Sequence, residues 1–166
     1  MSARTGIGYD SHRFAAGIPL RLGGVTIPHT HGLQGHSDGD AVLHAITDAL
    51  LGAAALGDIG GFFPDTDPRW KGADSVTFVR GAVEALAGLR LGIANVDVTV
   101  IAEAPKLAPH IEAMCAQTAA ALGIPMERVS IKAKTNEGMG WIGRGEGVAC
   151  IAVATVETRR RSHPGG

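Results

Sequence analysis

The run GYDSHRF (8–14) sets Asp10 and His12 two positions apart in a stretch that reads as a β-strand. Strand residues alternate faces, so this carboxylate and imidazole stand side by side while Tyr9 and Ser11 point the other way. A second source of chemistry is a polar row, Asp40, His44, Thr47 and Asp48, in the otherwise apolar helical stretch DAVLHAITDALLGAAAL. Residues four apart share a helix face, and a helix this apolar is largely buried, so its polar row must meet partners or a site. By itself His44 is open to two accounts: a core histidine with satisfied hydrogen bonds, or a metal ligand whose ring is oriented by Asp48 one turn later. Ser37 and Asp40 likewise fit a capping box at the helix start, S-x-x-D. If Asp10, His12 and His44 converge, one carboxylate and two imidazoles form a nitrogen–oxygen set suited to Zn²⁺. Three protein ligands leave one tetrahedral position open, which is the arrangement of catalytic rather than structural zinc.

The elements that must position these groups follow from periodicity and punctuation. Residues 5–12 and 19–28 read as strands joined through a hairpin bend at Gly17, followed by the loop HTHGLQGHSDGD. The first helix, from Asp40, is expected to end at Gly57, the usual position for a left-handed terminating residue. Residues 58–73 carry loop chemistry, rich in Gly, Pro and Asp. A second helix runs from about Asp74 or Ser75 to Leu89, a strand covers ANVDVTVIAEA, and a third helix runs from Pro105 to about Leu122. VSIKAKT and GVACIAVATVE supply the last strands. The order β-β-α-α-β-α-β-β predicts an α+β fold, with helices on one face of a mixed or mostly antiparallel sheet.

Two further motifs bear on phosphate chemistry. GMGWIG (138–143) matches the dinucleotide fingerprint letter for letter, but that motif requires a following helix and here a strand follows. What remains is a glycine-rich connection with Asn136, Glu137, Arg144 and Glu146. Its amides could hold phosphates, Glu137 could hold a hard cation through oxygen, and an ordinary tight hairpin is the plain alternative. Lys106, read at a helix start after EAP, could meet an anion.

Composition narrows the setting. In 166 residues, 45% are hydrophobic and only 19% charged, against roughly 25% charged in an ordinary soluble domain. So little charge on so small a chain predicts surface covered by further copies of itself. A formal net charge of −1 gives no field for nucleic acid or anionic lipid. No apolar stretch reads as a signal peptide or membrane span. Cys115 and Cys150, both in apolar surroundings, could form one disulfide, but read first as two buried thiols in a reducing, cytoplasmic compartment. Residues 1–157 are expected to form one domain, with a basic tail, 158–166, beyond it.

Taken together, GYDSHRF, GHSDGDAVLHAITDALLGAAALGDIGGFFPDTDP, APKLAPHI and KAKTNEGMGWIGRGEGVAC resemble the 2-C-methyl-D-erythritol 2,4-cyclodiphosphate synthase family of the non-mevalonate isoprenoid pathway. The resemblance spans about residues 5–157 in order and at matching spacing. It implies a two-layer α+β sandwich with a four-stranded sheet and a small N-terminal hairpin. The implied assembly is a bacterial, cytoplasmic homotrimer with active sites between subunits.

The resemblance also assigns residues. Zinc would be held by Asp10, His12 and His44, and Mg²⁺ or Mn²⁺ by Glu137. His36 and Thr135 match residues that stabilise developing charge. Ser37, Asp58, Ile59, Gly60 and the run Phe63, Pro64, Asp65, Thr66 and Asp67 match contacts to the methylerythritol phosphate. Ala102, Glu103, Ala104, Pro105, Lys106, Leu107 and Ala108 match a cytidine pocket supplied by the neighbouring subunit. Lys134, Asn136 and Trp141 match further substrate contacts. Arg144 and Glu146 match a central channel that would admit an isoprenoid diphosphate. The implied reaction joins the 2-phosphate of a diphosphocytidyl substrate to its β-phosphorus and expels CMP. Tyr9, Lys134, Asn136 and Trp141 depart from the residue types common at those positions, and none is a proposed zinc ligand.

Overall fold

The computed structural model describes residues 2–159; the expected basic tail lies outside them from residue 160 onward. The chain runs β1 (Ala3–Ala16), β2 (Leu20–Leu22), β3 (Val25–Ile27), β4 (His31–Leu33), α1 (Ala41–Ala53), α2 (Ile59–Phe62) and α3 (Val76–Gly88). It continues with β5 (Leu91–Ile101), α4 (Ile111–Leu122), β6 (Val129–Lys134), α5 (Gly140–Gly143) and β7 (Gly147–Thr158). The main sheet has five strands in the order β4-β1-β7-β5-β6, where four were expected. Only β5 and β6 pair in parallel, across the connection that contains α4; the other neighbours are antiparallel.

The expected hairpin between residues 5–12 and 19–28 does not form. The end of β1 pairs with β4, setting Ala16 against His31. Residues 20–27 instead fold on themselves as a small separate hairpin, β2-β3. Its two-residue bend is Gly23-Gly24, both at positive φ, which is the turn that suits the twist of a tight hairpin. The carboxylate of Asp40 accepts from both bend amides, at 2.9 and 2.7 Å, and from Leu43 N at 3.1 Å. Asp40 is therefore the N-cap of α1 and the clamp that ties the small hairpin to it. Ser37 is not part of a capping box.

α1 is buried almost all round; Val42, Leu43, Ile46, Leu50 and Leu51 are fully enclosed. It lies in one cluster with α3, α4 and the inward residues of β5, β6 and β7, such as Val98, Ile131 and Ala154. Each Leu or Ile enclosed in this way contributes about 1.5–3 kcal/mol. α1 ends earlier than expected. Ala55, at φ 59°, takes the left-handed position, with Ala55 N bonded to Gly52 O and Leu56 N to Leu51 O. That closes the terminal carbonyls two residues before Gly57. The third helix also starts late: Pro105 and Lys106 precede a 3₁₀ turn, Ala108–His110, and α4 begins only at Ile111. On the opposite face of the sheet Ile7, Tyr9 and Ile151 are exposed.

Candidate active site

β1 presents Gly6, Gly8, Asp10 and His12 on one face, by simple alternation. The first two lack side chains, and α1 crosses directly over them: a Cβ on Gly6 would meet Ala49 O at 2.1 Å. This close approach delivers His44, on α1, to the two functional residues of β1.

The three side chains converge tightly. His12 Nε2 lies 2.7 Å from Asp10 Oδ2 and 3.1 Å from His44 Nδ1, and His44 Nδ1 lies 3.0 Å from the same carboxylate oxygen. Among the described residues this is the one cluster of His, Cys, Asp and Glu with the spacing of a metal site. The far side of each ring is also engaged: His12 Nδ1 donates to Gln34 O at 2.7 Å, and His44 Nε2 lies 2.9 and 2.8 Å from the hydroxyls of Ser37 and Ser75. Rings held from behind on one nitrogen, with the other turned into the cluster, are what an imidazole-bound metal requires. The donor set, one carboxylate and two imidazoles, fits a divalent metal ion.

Electrostatics agree with a cluster of mutually dependent groups. Burial would raise the Asp10 pKa, yet the hydrogen bonds and charge of His12 and His44 hold it below the ordinary carboxylate value. Burial would lower the His12 pKa, yet Asp10 outweighs it and the ring is held above its ordinary value.

A cleft of about 330 Å³ opens beside the cluster, lined by His12, His36, Ser37, His44, Ile59, Gly60, Phe63, Pro64, Asp65, Trp70 and Phe78. Its wall is aromatic: Phe63 lies 4.8 Å from Phe78 and meets Trp70 edge-on at 5.2 Å, centroid to centroid. Two of the expected substrate carboxylates have structural work in the chain. Asp58 caps α2 by accepting from Gly61 N, and Asp67 caps the 3₁₀ turn Pro68–Trp70 and pairs with Arg69. Asp58, Thr66 and Asp67 do not line this cleft.

Asp48 makes no hydrogen bond to His44. Its Oδ1 accepts from Ile59 N at 2.7 Å, which ties the cleft-lining start of α2 to α1; burial raises its pKa. The group on the far nitrogen of His44 is Ser75, which sequence reading saw only as a helix start. Ser75 does sit at the N-cap of α3, but its hydroxyl makes no cap bond. A capping-type Ser beside a buried helix was the one available signal.

A second cleft, of about 450 Å³, is lined by Ala102, Glu103, Pro105, Lys106, Leu107, Ala108, Ala133, Lys134 and Thr135. Ala104 does not line it. Lys106 and Lys134 give it positive charge, though Lys106 is not at a helix start. Beyond it, Glu103 Oε1 accepts from Asn136 N at 2.7 Å and Gly138 N at 3.3 Å, holding the loop that carries Glu137. The exposed Glu137 carboxylate lies 3.4 Å from Thr135 Oγ1, and its hard oxygens suit Mg²⁺ or Mn²⁺. This cleft shares no lining residue with the first within one chain. A smaller hollow joins Ser11, His12, Arg13, Trp141 and Glu146, and Arg144 Nε donates to Glu146 Oε1 at 2.9 Å. The last four residues of GMGWIG form α5, a single turn, and residues 144–146 lead from it into β7, so no helix follows the motif to face a dinucleotide.

The chain's likeness to known proteins is consistent along its length. The profile of the YgbB family matches residues 3–157. A protein of Burkholderia thailandensis named 2-C-methyl-D-erythritol 2,4-cyclodiphosphate synthase is 60% identical over 156 residues, 94% of this chain and 96% of its own. One from Burkholderia mallei, of the same name, is 59% identical over the same share. Among solved structures, a CDP-bound 2C-methyl-D-erythritol-2,4-cyclodiphosphate synthase superimposes with a TM-score of 0.86 at 40% identity, covering 93% of this chain and 100% of that one. The bifunctional IspDF of Campylobacter jejuni gives a TM-score of 0.94 at 40% identity, over 98% of this chain and 44% of the longer one.

Proposed function

Since the chain belongs to the YgbB family, we propose that it converts 4-diphosphocytidyl-2-C-methyl-D-erythritol 2-phosphate to 2-C-methyl-D-erythritol 2,4-cyclodiphosphate and CMP, a step in isoprenoid precursor synthesis. The observation that carries the reading is the convergence of Asp10, His12 and His44 at the edge of an aromatic-walled cleft. In the reaction an oxygen of the substrate's 2-phosphate bonds to the β-phosphorus. The bond from that phosphorus to the oxygen bridging the α-phosphate breaks, and CMP leaves with the oxygen and its electron pair. No protein nucleophile is needed, so the chain's task is to position phosphates and to neutralise their charge. When bound, zinc at Asp10, His12 and His44 and Mg²⁺ or Mn²⁺ at Glu137 would supply positive charge to the non-bridging phosphate oxygens.

The remaining roles fall to the chain itself. His36 and Ser37 border the cleft beside the cluster, where ring and hydroxyl can donate to phosphate oxygens. Phe63, Trp70 and Phe78 exclude water from one side. Lys106 and Lys134 offer ammonium groups to the nucleotide phosphates, and Thr135 a hydroxyl. Ala102–Ala108 would take the cytidine, in line with the CDP bound by a structural relative.

The two clefts stand apart in one chain, and an apolar sheet face is bare. We therefore assign the protein a homotrimer in which one copy's second cleft completes its neighbour's site, with Arg144 and Glu146 toward a shared axis that would admit an isoprenoid diphosphate. The proposal includes a bacterial cytoplasm, where the free, buried thiols of Cys115 and Cys150 stay reduced. Among the described residues no helix is long and apolar enough to cross a membrane.

The test is to supply the diphosphocytidyl substrate with both metals and follow CMP together with the cyclic product. Equimolar CMP and cyclic diphosphate are expected. Linear methylerythritol diphosphate without ring closure, or binding without turnover, overturns the reading.

A further inference from the structure

Behind the metal-facing cluster lies a short chain of hydrogen bonds. Asp38 is clamped onto Ser75 at two points: Oδ1 accepts from the Ser75 hydroxyl and Oδ2 from Ser75 N at 3.1 Å. Oδ1 also accepts from Asp40 N at 3.1 Å, and Arg21 Nε lies 3.9 Å from Oδ2. Ser75, fully buried, then reaches His44 Nε2 at 2.8 Å.

The protons in this chain can be counted. An ionised carboxylate has none to give, and a hydroxyl has one. Ser75 gives its proton to Asp38, so toward His44 it can only accept. His44 Nε2 must therefore carry the hydrogen, and in a neutral ring Nδ1 is then bare. We propose that Asp38, acting through Ser75, fixes the tautomer of His44 so that its unprotonated Nδ1 faces Asp10 and His12. Gln34 O does the same for His12 by accepting from its Nδ1, which leaves Nε2 bare. Two bare nitrogens and a carboxylate oxygen then stand within 3.1 Å of one another. A carboxylate facing two such nitrogen lone pairs repels them, and a cation stabilises the set. Ser37 Oγ, 2.9 Å from the same His44 Nε2, also accepts, and its own proton can go to Ser75 Oγ at 3.5 Å or to an anionic group in the cleft. Asp38 and Ser75 are thus positioning residues: neither belongs to the metal-facing cluster, and both decide which nitrogen His44 offers. The consequence for metal affinity rests on the proposed zinc reading; the tautomer does not.

Two measurements on the full chain test this separately. The first is the ring nitrogen shifts of His44 in the metal-free protein, at alkaline pH where both rings are neutral. A protonated Nε2 and bare Nδ1 are expected; a proton on Nδ1 overturns the relay and needs no variant. The second is zinc affinity by competition with a chromophoric chelator. Ser75→Ala removes the hydroxyl, and Asp38→Asn sets an amide NH₂ where only acceptors now stand. Each is expected to weaken zinc about 10- to 100-fold, the usual effect of losing a partner of a ligating histidine. The double variant is expected to lose little more than Ser75→Ala alone, because both act through one bond. Zinc binding within twofold of wild type in a folded Ser75→Ala protein overturns the proposal. If the wild-type protein binds no zinc, the metal reading falls, and the nitrogen shifts alone decide the relay.

Discussion

Gly8 of β1 lies so close beneath Ala45 of α1 that a Cβ built on it would stand 1.9 Å from the Ala45 carbonyl oxygen. Ala45 follows His44 and Gly8 precedes Asp10 by two, so this contact sets the distance between two members of the cluster. Gly8→Ala must push helix and strand apart, at a cost of about 1–3 kcal/mol or more, and should lower both the unfolding temperature and the bound metal. Gly52, also on α1, has only Ile7 O near its missing Cβ, at 3.9 Å. Gly52→Ala should stabilise by about 0.5–1 kcal/mol through helix propensity alone. Thermal unfolding and metal analysis of the pair check this; wild-type behaviour of Gly8→Ala would refute the role given to the contact.

The cluster also sets a pH dependence. His12 is held above its ordinary pKa, so the stability it adds to the metal-free protein is complete below about 6.5 and lost as pH rises through the raised value. Asp10 is held below its ordinary pKa, so its contribution is present above about 4 and lost as pH falls through the lowered value. The metal-free protein should therefore gain most from this pair in mildly acidic solution and lose that gain toward alkaline pH. With zinc the trend should reverse, because the metal binds the deprotonated rings. Denaturant titrations at fixed ionic strength, with and without zinc, measure both. Metal-free and zinc-loaded curves rising together above neutrality would contradict the assignment.

Much of this arrangement is legible in the residues. Alternation put Asp10 and His12 on one face, and helical spacing put His44 on a buried polar row; neither depends on long-range partners. What they could not reveal is set by pairing between distant segments. Gly6 and Gly8 share the face of Asp10 and His12, but their meaning appears only when α1 crosses them. Ser75 reaches His44 and Gln34 reaches His12 across gaps in sequence of 31 and 22 residues, and Asp38 reaches Ser75 across 37. Asp40 does cap the first helix locally, through Leu43 N, but Ser37, Asp40 and Asp48 also take partners that local spacing does not show, respectively His44, the Gly23-Gly24 amides and Ile59 N. The N-terminal hairpin failed because β1 is long enough to pair with β7 along most of its length and with β4 at its end.

The bare sheet face makes a prediction about assembly. Ile7 is 71% and Tyr9 57% exposed, and they pair across the sheet with Val153 and Ile151. Lysine at Ile7 and Ile151 should change the stability of the single chain by no more than about 0.5 kcal/mol, as is usual for exposed positions. The same changes should abolish association if this face is the contact. Sedimentation is expected to give three times the chain mass for wild type and a monomer for the double variant, with activity lost. A wild-type monomer would remove the trimer from the proposal.

The two thiols should be inert. Burial holds Cys150 well above the ordinary thiol pKa, with the nearby Asp40 and Asp10 charges adding to it, and burial raises Cys115 as well. Since the thiolate is the nucleophile, an alkylating reagent should label neither cysteine in the folded protein and both in denaturant. Intact mass before and after treatment reads the result. Rapid labelling of the folded chain would show that one thiol is accessible and activated.

Glu103 offers the clearest test of the second cleft. A single oxygen, Oε1, accepts from Asn136 N and Gly138 N, and between them Glu137 is held at φ 52°. That left-handed conformation is unfavourable for a residue with a side chain, so the loop needs an external clamp to keep it. Glu103→Ala leaves both amides to water and lets the Glu137 carboxylate wander, while the zinc-facing cluster on β1 and α1 is untouched. Misplacing a positioning group by an ångström can cost 10²-fold in rate, so kcat/KM should fall about 10- to 100-fold with zinc content unchanged. Glu103→Gln keeps an acceptor oxygen in place and should retain most activity. Steady-state kinetics with metal analysis on both variants decide it: an alanine variant as active as wild type would mean that the Glu137 loop does not contribute to the reaction.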